Sequence, residues 1–179
     1  MKRDIVQDGH PALRAEAHDI PKKDIGSPAI QQLIADMKAL LAKEKYGVAL
    51  AAPQVGETLR LFIVAGSVRK RAKKDAEEDV PEAGMPETDQ VYINPQLTKV
   101  SRGKKDKHEG CLSVRGKWGM VPRAEKATIK AYDEHGKAFT RGASGLLAHI
   151  FQHEMDHLNG VLYIDKAKEL YDERDTGQE

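Results

Sequence analysis

Residues 144–160 read Ser144-Gly145-Leu146-Leu147-Ala148-His149-Ile150-Phe151-Gln152-His153-Glu154-Met155-Asp156-His157-Leu158-Asn159-Gly160. A serine suited to capping opens this stretch and Asn-Gly closes it, which predicts a helix over 145–158. Its first two turns are almost wholly apolar, and a helix that is hydrophobic nearly all round is a buried one. His153, Glu154 and His157 therefore sit where a polar side chain is costly unless it has a partner.

Outward from this helix the chain offers mainly strands. Leu61-Phe62-Ile63-Val64 reads as a buried strand, and strand-like runs follow at Val91-Tyr92-Ile93-Asn94, 97–101, 109–114, 120–123 and 127–132. Residues 133–136 form a hairpin-turn candidate, so the middle of the chain is expected to be mainly antiparallel β. A second helix is predicted over 28–45, capped by Ser27, begun by Pro28, carrying Ile30, Leu33, Ile34, Met37, Leu40 and Leu41 at helical spacing, and ended by Gly47. Small residues, Ala49-Leu50-Ala51-Ala52-Pro53-Gln54-Val55-Gly56, then allow close backbone approach.

At 179 residues the chain is expected to form a single catalytic domain, 1–179. Within it, residues 66–90 change character: Arg69, Lys70, Arg71, Lys73 and Lys74 precede Asp75, Glu77, Glu78 and Asp79, which reads as a charged surface insertion. The formal net charge of +1 supplies no global field for nucleic acid or anionic membrane, so partners must be argued from local features. One cysteine permits no intramolecular disulfide and suits a reducing compartment. The opening residues lack an apolar signal region, and no run approaches the roughly 18 apolar residues of a membrane span; a cytoplasmic protein is expected.

His153-Glu154-Met155-Asp156-His157 is an H-E-x-x-H sequence, whose i, i+4 spacing puts two imidazoles on one helix face where they can hold one metal ion. Glu154 between them need not ligate and suits acid/base work on a water molecule. A catalytic metal site needs a third protein ligand. In the long zinc-protease pattern it would fall at position 163, where this chain has Tyr163 although Gly160 is in register. His149 points about 80° away from His157 around the helix and is badly placed. Cys111 remains, as either the third ligand or a small buried hydrophobe.

At this point the sequence resembles the peptide deformylase family. It carries Gly47-Val48-Ala49-Leu50-Ala51-Ala52-Pro53-Gln54, Glu109-Gly110-Cys111-Leu112-Ser113 and Gln152-His153-Glu154-Met155-Asp156-His157, which match that family's three motifs in order. Ile93-Asn94-Pro95 and Val121-Pro122-Arg123 extend the likeness over nearly the whole chain. The resemblance implies an α+β fold, with antiparallel β-sheets packed around a buried metal-binding helix. It implies Cys111, His153 and His157 as metal ligands, Glu154 as acid/base, and Gln54 with the Leu112 backbone N–H as donors to the oxyanion. It also implies a peptide groove at Gly47, Val48, Ala49 and Gly110, with Val48 and Ile150 near a methionine pocket. The expected reaction is hydrolysis of the formyl group from N-formylmethionyl nascent peptides. The donor set suits Fe²⁺, Zn²⁺, Ni²⁺ or Co²⁺, and the resemblance favours Fe²⁺.

Ala49 departs from the pattern where the motif has its second glycine, and Arg115 where a proline commonly follows the cysteine motif. An alanine at positive φ would cost about 1 kcal/mol, whereas at ordinary φ its methyl merely narrows the groove. The basic half of the insertion suggests a transient ribosome contact, with a solvated loop as the alternative; no specific nucleic-acid binding is expected. Two competing readings stand beside the deformylase: a catalytically silent relative that binds metal or ribosome structurally, and an amidase or protease acting on another acyl group.

Overall fold

The computed structural model describes residues 3–68 and 87–173. Most of the charged insertion, residues 69–86, lies outside the described residues, as does the end of the chain from 174. Helix α1 spans Pro28–Leu41 and α2 spans Gly145–Leu158. The strands are β1 (Ala49–Ala51), β2 (Leu61–Val64), β3 (Gln90–Val100), β4 (Lys104–Cys111), β5 (Val114–Ala124), β6 (Lys126–Tyr132), β7 (Ala138–Ser144) and β8 (Glu169–Asp172). All strand pairs are antiparallel, in a five-stranded sheet of order β1-β2-β3-β6-β7 and a three-stranded sheet of order β4-β5-β8.

The alternation of strand side chains explains why the apolar run 61–64 is buried throughout. Leu50, Leu61, Ile63, Val91 and Ile93 pack with Ile30, Leu33, Ile34 and Met37 of α1. Their neighbours Ala49, Ala51, Phe62, Val64 and Tyr92 join Leu147, Ile150, Phe151 and Met155 of α2 in a second cluster. One sheet thus buries both faces, as period-two strands between two helices must. The small side chains of Ala49 and Ala51 face α2. None of the 14 residues of α2 is exposed.

Several elements differ from the expectation. Helix α1 stops at Leu41 rather than 45, because Leu41 is its last core-facing residue and the chain turns through Ala42, Lys43 and Glu44. Ser27 caps it as expected, accepting from the Ile30 N–H at 3.4 Å, whereas Ser144 makes no side-chain capping bond at the start of α2. The runs at 91–94 and 97–101 are one strand with register shifts, and the run 109–114 is broken by a tight turn after Cys111. The 133–136 turn is present: Gly136 takes φ +79°, and Asp133 Oδ1 accepts from the His135 and Lys137 N–H groups at 2.9 Å.

Candidate metal centre

Cys111 ends β4, and a turn through Leu112 and Ser113 returns the chain into β5, leaving its thiol beside α2. Helix α2 is fixed against this sheet by Gln152. Its Oε1 accepts from the Ala124 N–H, while Nε2 donates to the Ala124 and Ala148 carbonyls, each at 2.9 Å. Next along the helix, His153 and His157 face Cys111, with ring centroids 4.9 Å apart. Cys111 Sγ lies 3.3 Å from His157 Nε2, and one donor atom from each of the three residues falls within 4.8 Å of the others. Ligands around a tetrahedral ion stand about 3.3–3.6 Å apart, so this cluster could hold a metal. His149 is not in it, and Tyr163 is not a ligand: its buried ring stacks near His153, with centroids 6.2 Å apart, and its hydroxyl donates to the Lys117 carbonyl.

The surroundings of the two imidazoles perturb them in opposite directions. Burial alone would lower the His153 imidazole, but hydrogen bonds with Cys111 and Glu109 push it well above its ordinary value. Burial and the neighbouring His153 push His157 well below it. Glu109 Oε2 accepts from His153 Nδ1 at 2.9 Å, which leaves Nε2 free to ligate. Burial would raise Glu109, but Arg123 and His153 hold its carboxyl at about 2. Arg123 donates to both Glu109 oxygens, at 2.6 and 2.9 Å, and to Asp156 at 2.6 Å; Asp156 in turn accepts from Lys166 at 2.7 Å. This buried ionic chain links β4, β5 and α2 behind the ligands.

Glu154 is 3% exposed and its Oε2 has no hydrogen-bond partner among the described residues. Burial pushes its carboxyl up to about 7. Gln54, 2% exposed, has its amide fixed from both ends. Oε1 accepts from the Ala51 N–H at 2.9 Å, while Nε2 is directed at Ser113 Oγ (3.2 Å) and Cys111 Sγ (3.5 Å). Leu112 lies in the turn beside it, its carbonyl accepting from Gln7.

These groups open on a cavity of about 560 Å³. Gly47, Val48, Ala49, Gly110, Ile150, Glu154, Gln54 and Leu112 all line it, together with Cys111 and His153. Ala49 lies in β1 with ordinary φ, since Asn94 is the only residue other than glycine with positive φ among the described residues. An alanine at this position therefore carries no backbone strain. At Gly110 the approach is close: a Cβ there would lie 3.0 Å from the Trp118 ring, which would have to shift to admit it.

A family model described as polypeptide deformylase matches residues 2–173. The chain is 38% identical to peptide deformylase 2 of Pseudomonas putida over 95% of its own length and 90% of that protein. It is 36% identical to peptide deformylase 2 of Clostridium perfringens, covering 94% of each. Similarity to the chloroplastic peptide deformylase 1A of Solanum lycopersicum is 38%, but the chain spans only 58% of that protein, and 60% of a relative from Arabidopsis thaliana. Among solved structures, a peptide deformylase from Legionella pneumophila superposes with a TM-score of 0.76 at 36% identity, covering 94% of this chain and 87% of that one. A Met-Ala-Ser-bound deformylase from Acinetobacter baumannii gives 0.76 at 29%, covering 93% and 98%.

Proposed function

The chain belongs to the peptide deformylase family, and from that premise we propose that it hydrolyses the formyl group from N-formylmethionyl peptides, releasing formate. The observation that carries the reading is the convergence of Cys111, His153 and His157 with the Gln54 amide, whose N–H points at the same sulfur. A divalent ion held by these three side chains would polarise the carbonyl and acidify water. Fe²⁺ is the proposed ion, and Zn²⁺, Ni²⁺ and Co²⁺ fit the same donors.

Glu154 is the proposed acid/base. Its carboxyl, buried and poised near neutrality, takes the proton of the attacking water and returns it to the amine as the carbon–nitrogen bond breaks. Negative charge builds on the formyl oxygen in between. Gln54 Nε2 and the Leu112 N–H are assigned to that oxygen, each worth roughly 3 kcal/mol of barrier. Glu109 keeps His153 in the tautomer that ligates, and Arg123 keeps Glu109 ionised.

Substrate binding follows from the sheet order. Strand β1 is an edge, so the backbone at Gly47, Val48 and Ala49 can take an extended peptide as an added strand. Val48 and Ile150 offer an apolar wall for the methionine side chain. The relative bound to Met-Ala-Ser supports a peptide of this length. A ligating thiol supports a reducing, cytoplasmic site of action, although the two plant relatives carry organellar names. Among the described residues no helix is long and apolar enough to cross a membrane. The proposed ribosome contact falls on residues outside those described.

The experiment is stoichiometric: protein with measured metal content, given formyl-Met-Ala-Ser, is expected to release one formate per free amine formed. Full metal occupancy without formate release would overturn the assignment and favour a silent relative.

A further inference from the structure

The groove has two walls, and one ion pair joins them at the rim. Glu44 lies in the connection from α1 to β1, and Arg115 at the start of β5; both line the cavity. Arg115 Nη2 donates to Glu44 Oε1 at 3.0 Å and Nη1 to Oε2 at 3.4 Å. The two partners are unequally presented. The Arg115 side chain is 56% exposed and the Glu44 side chain 23%. Glu44 already accepts on both oxygens, while among the described residues only two of the five guanidinium N–H groups are engaged. Lys117, 54% exposed and 3.8 Å from Asp172, lines the same wall.

The course of a bound peptide brings it to this pair. Gln54 follows β1 and Tyr46 precedes it, so a peptide added to β1 with its formyl end at Cys111 and Gln54 runs back past Gly47 towards residue 44. Its second and third side chains then reach the rim beside the Glu44–Arg115 pair. We propose that Arg115, steadied by Glu44, is a specificity-determining residue that favours peptides with an acidic side chain at the second or third position. The inference rests on the deformylase reading for the direction of the peptide. A substrate carboxylate meets the unused guanidinium donors, and a substrate ammonium meets a carboxylate that is both less exposed and already engaged.

Two readouts test it on metal-loaded protein. Hydrolysis of formyl-Met-Asp-Asp is compared with formyl-Met-Lys-Lys, and binding of the products Met-Asp-Asp and Met-Lys-Lys is followed through Trp118. That residue is the only tryptophan in the chain and lines the cavity, so its emission reports occupancy without turnover. The acidic peptide is expected to be preferred about fivefold at low ionic strength, less in high salt, as for an exposed charge contact. Arg115→Ala brings the ratio to about one, Arg115→Lys keeps its direction, and the double exchange Glu44→Arg with Arg115→Glu inverts it. The exchange retains an ion pair, so a merely structural bridge predicts an unchanged ratio there. A wild-type ratio of one, a ratio untouched by Arg115→Ala, or no inversion in the exchanged protein would overturn the proposal. Charge-selective binding without any formate release would instead support it while removing the deformylase reading.

Discussion

Glu154 and Glu109 are both buried glutamates near His153, yet their surroundings drive them apart. Glu154 has no strong cationic hydrogen-bond partner and is pushed up to about 7 by burial, whereas Glu109 is held at about 2 by Arg123 and His153. The first is suited to carry a proton, the second to stay charged. Glu154→Gln should therefore keep the metal but lose turnover by at least about 100-fold, since an amide can orient water but cannot accept its proton. Metal analysis beside kinetics checks this, and equal loss of metal and rate would move Glu154 from chemistry to structure. For Glu109 the folded value lies below the ordinary 4.5, so its contribution is complete above that pH and is lost as pH falls towards about 2. On the order of 3 kcal/mol is at stake. Denaturant titrations of metal-free wild type and Glu109→Gln should show a gap at neutral pH that narrows across this window. A gap independent of pH would assign the difference to packing alone.

At the level of elements, α2 is legible because caps, apolar turns and the H-E-x-x-H spacing agree. What holds it in place is not. Gln152 and Asp156 belong to the same sequence motif, but their partners Ala124 and Arg123 lie on β5, and only the three-dimensional register brings them together. β1, with its small alanines, and β7, with the sequence Ala-Phe-Thr-Arg-Gly-Ala-Ser, carry weak strand signals and are sheet members through pairing. Asn94-Pro95 looks like a break, yet Asn94 takes φ +49° and the strand continues with a shifted register. Its amide meanwhile clamps Ile20 through bonds of 2.8 and 2.7 Å. The stop of α2 offers a test. Gly160 has φ +71°, and a Cβ there would lie 2.6 Å from the Arg14 carbonyl oxygen. Gly160→Ala should lower stability by roughly 2 kcal/mol through backbone strain and this clash. An unchanged denaturation midpoint would show that the turn can relax.

Across the whole molecule, the five-stranded sheet with a helix on each face supplies the floor and one wall of the groove, and the smaller sheet supplies the thiol and the other wall. The α+β class and the antiparallel pairing could be read from periodicity together with the three motifs, since turn residues and apolar runs mark most strands locally. The groove could not, because its walls come from two different sheets brought together by long-range contacts such as those of Gln54 with Cys111 and Ser113. The single-domain reading is a proposal, and the charged insertion falls in sequence between β2 and β3, mostly outside the described residues. The most direct measurement of the central claim compares kcat/KM for formyl-Met-Ala-Ser and acetyl-Met-Ala-Ser on protein of verified metal content. On the proposed arrangement the formyl carbonyl lies among Glu154, Gln54 and the Leu112 N–H, and an added methyl would compete for that same space. The account predicts that the formyl peptide is cleaved at least about 100-fold more efficiently, by analogy with sites that reject added bulk; comparable rates on the two peptides would contradict it.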